Sequence, residues 1–128
     1  RNPRMQENMH PALRILSAKY RPEDRVYIYP WAEPAFRYYA PFYGFTETQF
    51  TSGQADPPQD LTATLADVGG MRGHARVWIL FSHVYEVNGV NEQEAILSEI
   101  ERQGWGKCRL ESREPGTSVF LYLCDFSP

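Results

Sequence analysis

Apolar and polar positions change their period several times along this chain, and each change predicts an element. Leu13, Leu16 and Tyr20, with Ala12 and Ile15 beside them, recur at helical spacing. His10-Pro11 opens that helix, since Pro is tolerated at the first helical position. The helix stops before Pro22, because a residue preceding proline is pushed out of the α region. Residues 25–29 (Arg-Val-Tyr-Ile-Tyr) are β-branched and aromatic and predict a strand, ended by Pro30. A second helix starts near Glu33-Pro34 and runs to about Tyr39, since Pro41 cannot extend it. Residues 49–51 predict a short, weak strand. Asp60 caps a helix over 61–68, closed by Gly69-Gly70.

Residues 75–81 (Ala-Arg-Val-Trp-Ile-Leu-Phe) are almost continuously apolar, which predicts a strand buried on both faces. Asn91 caps a helix over 92–102, and Gly104 ends it. Residues 107–112 and 118–125 predict two closing strands around Glu114-Pro115-Gly116-Thr117. Alternating strands and helices imply βαβ units. The expected fold is therefore α/β: three layers, a mostly parallel sheet of about five strands, helices on both faces, and a C-terminal antiparallel hairpin. The more apolar last strand belongs inside the sheet and its partner at the edge.

Composition narrows the function classes. The chain has 128 residues, is 42% hydrophobic and 23% charged, and so holds one domain with a packed core. Residues 1–9 form a polar lead-in, and residues 10–128 form the domain. The net charge of -3 argues against nucleic acid as a partner, because phosphate binding needs a basic excess. No apolar run approaches the roughly 20 residues of a bilayer span, and no signal peptide is visible near Arg1. The chain does not begin with Met, which predicts a piece of a longer protein.

Motif chemistry is mostly absent. No GxSxG elbow, phosphate loop or GxGxxG turn occurs. Bulky residues after the first strand block the close approach a pyrophosphate requires. No cofactor is expected. His10, His74 and His83 are scattered, and no Cys/His cluster suits zinc. A set of His83, Glu86 and Glu33 has no metal-specific spacing, so no metal site is assigned.

The informative stretch is 27–45, which carries Trp31, Glu33 and Arg37 past the carboxyl end of the first strand, where open α/β sheets place ligands. Aromatic planes beside a carboxylate and a guanidinium suit a sugar ring. Phe36, Tyr39 and Tyr43 fit core spacing equally, and Glu33 with Arg37 fits a plain surface ion pair. His83 and Tyr85 follow the third strand and project toward the same edge. His83 there suits a general base or ligand donor, or is simply a loop histidine. Glu92, Glu94, Glu99, Glu101 and Arg102 are expected on a solvated helix face. A hairpin centred on Gly116 sets Cys108 opposite Cys124, with Cβ atoms about 4.5–5.5 Å apart. Those two residues form a disulfide or pack as two buried thiols.

Residues 25–41 (Arg-Val-Tyr-Ile-Tyr-Pro-Trp-Ala-Glu-Pro-Ala-Phe-Arg-Tyr-Tyr-Ala-Pro) resemble the soluble C-terminal region of bacterial polytopic membrane glycosyltransferases, of the protein-mannosyltransferase-like, family 39-related, GT-C type. Residues 76–83, the helix over 92–103 and the closing 118–126 follow in the same order, so the likeness spans roughly 10–126. It implies a membrane enzyme that moves a sugar from a polyprenyl-phosphate carrier to an acceptor. It also implies that this domain lies on the extracytoplasmic face, with residues 1–9 next to the membrane and the membrane portion of its own chain as partner. Catalytic acids of that family lie in the membrane portion, so no catalytic residue is assigned to any position here. The expected role is an accessory domain that contacts acceptor, glycan or lipid-linked sugar through Trp31, Glu33, Arg37 and His83 and is inactive alone. The alternatives are a free-standing α/β enzyme with His83 and Glu33 as an acid/base pair, and a plain interaction domain.

Overall fold

The computed structural model describes residues 8–82, 86–87, 89–113 and 118–128. Helix α1 (His10–Lys19) has Pro11 in its first turn, and Tyr20 leaves it with an extended backbone ahead of Pro22. Strand β1 (Arg25–Ile28) is one residue shorter than expected, although Tyr29 N still donates to Leu80 O at 3.0 Å. Helix α2 (Glu33–Tyr39) lies between two 3-10 turns, Pro30–Ala32 and Ala40–Tyr43, which the periodicity does not reveal. Gly44 closes this segment at φ 86, a left-handed geometry that favours glycine.

Strand β2 is Thr51–Ser52, shifted from the expected 49–51 because Glu47–Gln49 is a 3-10 turn held by the reciprocal Thr46 and Gln49 contacts. Helix α3 (Leu61–Gly69) is capped by Asp60, whose Oδ1 accepts from Ala63 N at 2.9 Å. Strand β3 (Val77–Phe81) is buried at every position, as a central strand between two helical layers must be. Two short strands, β4 (Glu86–Val87) and β5 (Val90–Asn91), pair as a small separate ribbon. Asn91 Oδ1 accepts from Glu94 N at 3.0 Å and caps helix α4 (Glu92–Arg102). Strands β6 (Lys107–Arg113) and β7 (Phe120–Asp125) complete the chain.

Five strands hydrogen-bond in the order β2-β1-β3-β7-β6. β2, β1 and β3 are parallel, β7 opposes β3, and β6 opposes β7. All strands of this sheet but β7 thus share one direction, and β7 lies inside with β6 at the edge. Cys108 faces Cys124 and Leu110 faces Tyr122, then a bulge between Leu110 and Ser112 shifts the register. The two cysteines are joined as a disulfide. Gly106 is required just before β6, because a Cβ there would lie 2.0 Å from Asp125 O.

Side-chain alternation sorts the layers. Tyr27 and Tyr29 point to one face and bond Asp67 of α3 and Glu92 of α4. Trp78 points to the other face, where Lys19 of α1 also meets Glu111 of β6 at 2.8 Å. Helix α2 shares that layer with α1: Phe36 packs on Phe45, and Phe45 on Tyr20. The chain steps from β1 to β2 under α2, then reverses across β1 to β3 under α3. That change of direction with change of face is what right-handed crossovers require. Among the described residues, no helix is long and apolar enough to cross a membrane.

Candidate functional site

The reversal places the carboxyl ends of β1 and β3 side by side, with connections leaving toward opposite faces. Such a switch point leaves a crevice in open α/β sheets. Tyr29, Pro30 and Trp31 rise from β1 there, and Ser82 follows β3. The 3-10 turn holds Trp31 with its residue 39% exposed, while Pro30 and Ala32 on either side are buried. Part of the indole is therefore presented outward from a fixed backbone.

Beneath this crest the packing is aromatic and polar. Phe81 sits between Tyr29 and Tyr122, with ring centroids 5.5 and 5.8 Å away. The first turn of α4 is fastened to two of these rings. Tyr29 Oη donates to Glu92 Oε1 at 2.5 Å, and Gln93 Nε2 donates to Tyr122 Oη at 3.0 Å. Burial pushes the Tyr29 phenol far above its ordinary value, and the adjacent Glu92 carboxylate pushes it in the same direction. Tyr29 is thus a fixed donor and stays protonated. Glu92 corrects the expected solvated face: it is only 9% exposed, while Glu94 and Glu101 on the same helix are exposed. Its position in the first helical turn points it at the sheet, where a carboxylate also suits the helix dipole.

A groove of about 390 Å³ opens beside this contact, lined by Asn91, Gln93, Glu94, Ser118, Phe120 and Tyr122 among others. Ser118 Oγ is buried and has no hydrogen-bond partner among the described residues. The volume falls within the range of small-ligand sites, and the lining offers amide, hydroxyl and ring groups rather than a charge cluster.

The remaining sequence-derived residues divide clearly. Glu33 and Arg37 come together on one face of α2, and Arg37 also bonds Glu47. The Arg37 guanidinium lies 5.3 Å from the centroid of Phe50. This arginine therefore bridges α2 and the 3-10 turn before β2. His83 and Tyr85 lie outside the described residues, as does the loop 114–117. Sequence reading missed the Tyr29–Glu92 and Gln93–Tyr122 contacts. The signal that could have found the first is the placement of Tyr29 at the end of a strand whose alternate residue, Tyr27, also faces the later helices.

Among the described residues, no group of three His, Cys, Asp or Glu side chains is placed to hold a metal. Trp31 is a part-exposed aromatic residue just past β1, and the groove beside the first turn of α4 is lined by amide and hydroxyl groups. The chain matches no protein-family model, no curated protein and no solved structure.

Proposed function

We propose that this domain is the extracytoplasmic accessory part of a membrane glycosyltransferase that uses a polyprenyl-phosphate-linked sugar. It contacts acceptor or glycan at the carboxyl edge of its sheet and does not catalyse transfer alone. The observation that carries this reading is Trp31, a part-exposed indole at the sheet's switch point, where a sugar ring can stack. The Cys108–Cys124 bridge supports it, since structural disulfides belong to oxidising compartments. Arg37 leaves the proposed sugar contact, because its guanidinium is engaged by Glu33, Glu47 and Phe50. The same engagement of Glu33 weakens the alternative of a free-standing acid/base enzyme built on that carboxylate.

The test uses the full reading frame that contains this chain, expressed in membranes. Spanning helices before Arg1 and sugar transfer from a lipid-phosphate donor are expected, with transfer lowered by Trp31→Ala. A soluble start without spanning helices overturns the reading. Turnover by residues 1–128 on their own does so as well.

A further inference from the structure

Strand β6 closes the sheet, and its rim is set by register. Phe126, just past β7, bonds His74 O and Gly73 N on the β3 side. Backbone groups alternate sides along a strand, so Cys124 and Tyr122 also direct theirs to β3. Their β6 partners, Cys108 and Leu110, therefore form non-bonded pairs with them, in keeping with a Cα separation of 3.9 Å between Cys108 and Cys124. The N–H and C=O groups of Cys108 and Leu110 thus point outward from the sheet, with no partner among the described residues. On the α1 face, Glu111 meets Lys19. On the α4 face, Leu110 is 47% exposed, and a groove of about 590 Å³ runs between β6 and α4, lined by Leu97, Ile100, Gly106, Cys108 and Tyr122 among others. Residues 107–110 sit at the amino end of the sheet, whereas residues 83–85 and 114–117 join it at the carboxyl end.

An open edge of this kind accepts one more strand. A second copy of β6 fits it badly, because antiparallel pairing must bring Cys108 and Leu110 to bonded positions. Cys108 on Cys108 sets Lys107 against Arg109, and Cys108 on Leu110 sets Arg109 against Arg109. Like charges directly opposite are destabilising. Leu110 on Leu110 runs the bulge of each strand into the ladder beside the axis. The exposed charges on residues 107–110 are Lys107 and Arg109, both positive. The nearby carboxylates are engaged: Glu111 is 6% exposed and shared by Lys19 and Arg109, Asp24 is buried against Arg76, and Asp125 of β7 accepts from Ser127. On an added strand, side chains opposite Cys108 and Leu110 enter the groove, and those opposite Lys107 and Arg109 project on the α1 face. Glu101 lines the α4 wall, so acidic side chains belong on the α1 face and apolar ones in the groove.

We infer that residues 107–110 of β6 are a docking edge for an extended peptide segment whose side chains alternate apolar and acidic. Backbone bonds to Cys108 and Leu110 hold the segment, its apolar side chains meet Leu97, Ile100 and Tyr122, and its carboxylates meet Lys107 and Arg109. The inference goes beyond the sugar-contact reading and uses different residues, so either can fail while the other stands.

The test titrates the 128-residue chain with a short end-capped peptide of alternating Val and Glu, followed by backbone amide signals. Saturable shifts are expected at residues 107–110, Leu97 and Ile100. The same peptide with Lys in place of Glu should bind about fivefold more weakly or worse. Methylating the backbone nitrogens of Val, which face Cys108 and Leu110, should lower affinity by about tenfold or more, while methylating those of Glu leaves it unchanged. Lys107→Glu should narrow the preference between the two peptides, and its thermal unfolding should match the parent because the position is exposed. No saturable shift with the acidic peptide, equal binding of the Lys peptide, or equal losses from the two methylations each overturns the inference. So does sedimentation showing that the chain already pairs with itself through β6.

Discussion

The two ends of the parallel strands β1 and β3 draw on the same kinds of residue and put them to different use. At the amino end, Asp24 is buried and collects three donors: Arg76 Nε and Trp78 Nε1 at 2.8 Å, and Arg21 N at 3.0 Å. Arg76 also reaches Lys19 O, so one ion pair joins the end of α1, the start of β1 and the approach to β3. Trp78 is wholly buried there. At the carboxyl end, Trp31 stands part-exposed, and the buried Tyr29–Glu92 contact serves to dock α4. One indole is locked by a carboxylate in the interior, and another is offered to the surroundings. The contrast teaches that the same residue types fasten a loop and helix end at one end of the sheet and dock α4 at the other, with Trp31 part-exposed beside it.

Removing the lock should do the most damage. Asp24→Ala leaves the Arg76 charge and the Trp78 donor without their partner, and should cost about 3–5 kcal/mol in denaturant unfolding. Asp24 also gives the comparison a pH signature. Burial alone would raise its pKa, but the bonds from Arg76, Trp78 and Arg21 outweigh that and hold the carboxyl below its ordinary value. A depressed folded value means that the stabilisation is present above the unfolded pKa of about 3.9 and is lost as pH falls through the folded one. Acid unfolding below about pH 4 should therefore be less steep in Asp24→Asn than in the parent, in urea titrations at successive pH values.

The disulfide reinforces the same end, because Cys124 is the register partner of Val77 at the start of β3. Changing Cys108 and Cys124 together to Ser should cost about 3 kcal/mol under oxidising conditions, chiefly by freeing the unfolded chain. Parent and variant should converge in their melting temperatures once the parent is reduced. Tyr29→Phe removes one donor from a buried carboxylate at the other end. A loss of about 1–2 kcal/mol is expected, with the largest rise in amide exchange confined to the first turn of α4. A uniform rise across the sheet would erase the distinction between the ends. Trp31→Ala should cost less than Asp24→Ala, about 1–2 kcal/mol in denaturant unfolding, since the residue is only part-buried.

Much of this frame can be read from residues alone. Proline and glycine bound α1, α2, α3 and α4, and Asp60 and Asn91 announce their caps because capping is a local bond. The unbroken apolar run of β3 tells that helices cover both of its faces, and the difference in hydrophobicity between β7 and β6 tells which is central. The hairpin register counted from Gly116 holds from Leu110 out to Lys107. Nearer the turn, at Ser112 and Arg113, the bulge shifts it by one residue, and a bulge depends on where Glu111 and Ser112 find partners. Asp24 carries no local signal of its role, because its Arg76 and Trp78 partners lie 52 and 54 positions away. Glu92 looked solvated, because its partner Tyr29 is 63 positions distant. The contacts of Arg37 with Glu47 and Phe50 likewise form only after the chain turns back toward β2. What escaped the sequence in each case is a polar group satisfied at long range.

The most direct measurement watches the two indoles together. In a spectrum that resolves the indole N–H signals of Trp31 and Trp78, a saccharide or lipid-phosphate sugar is titrated into the protein. The account predicts that the Trp31 signal moves and saturates while the Trp78 signal stays in place. A Trp31 signal indifferent to every such ligand, or one that moves only when Trp78 moves with it, would contradict the claim that this edge of the sheet is the one left open for contact.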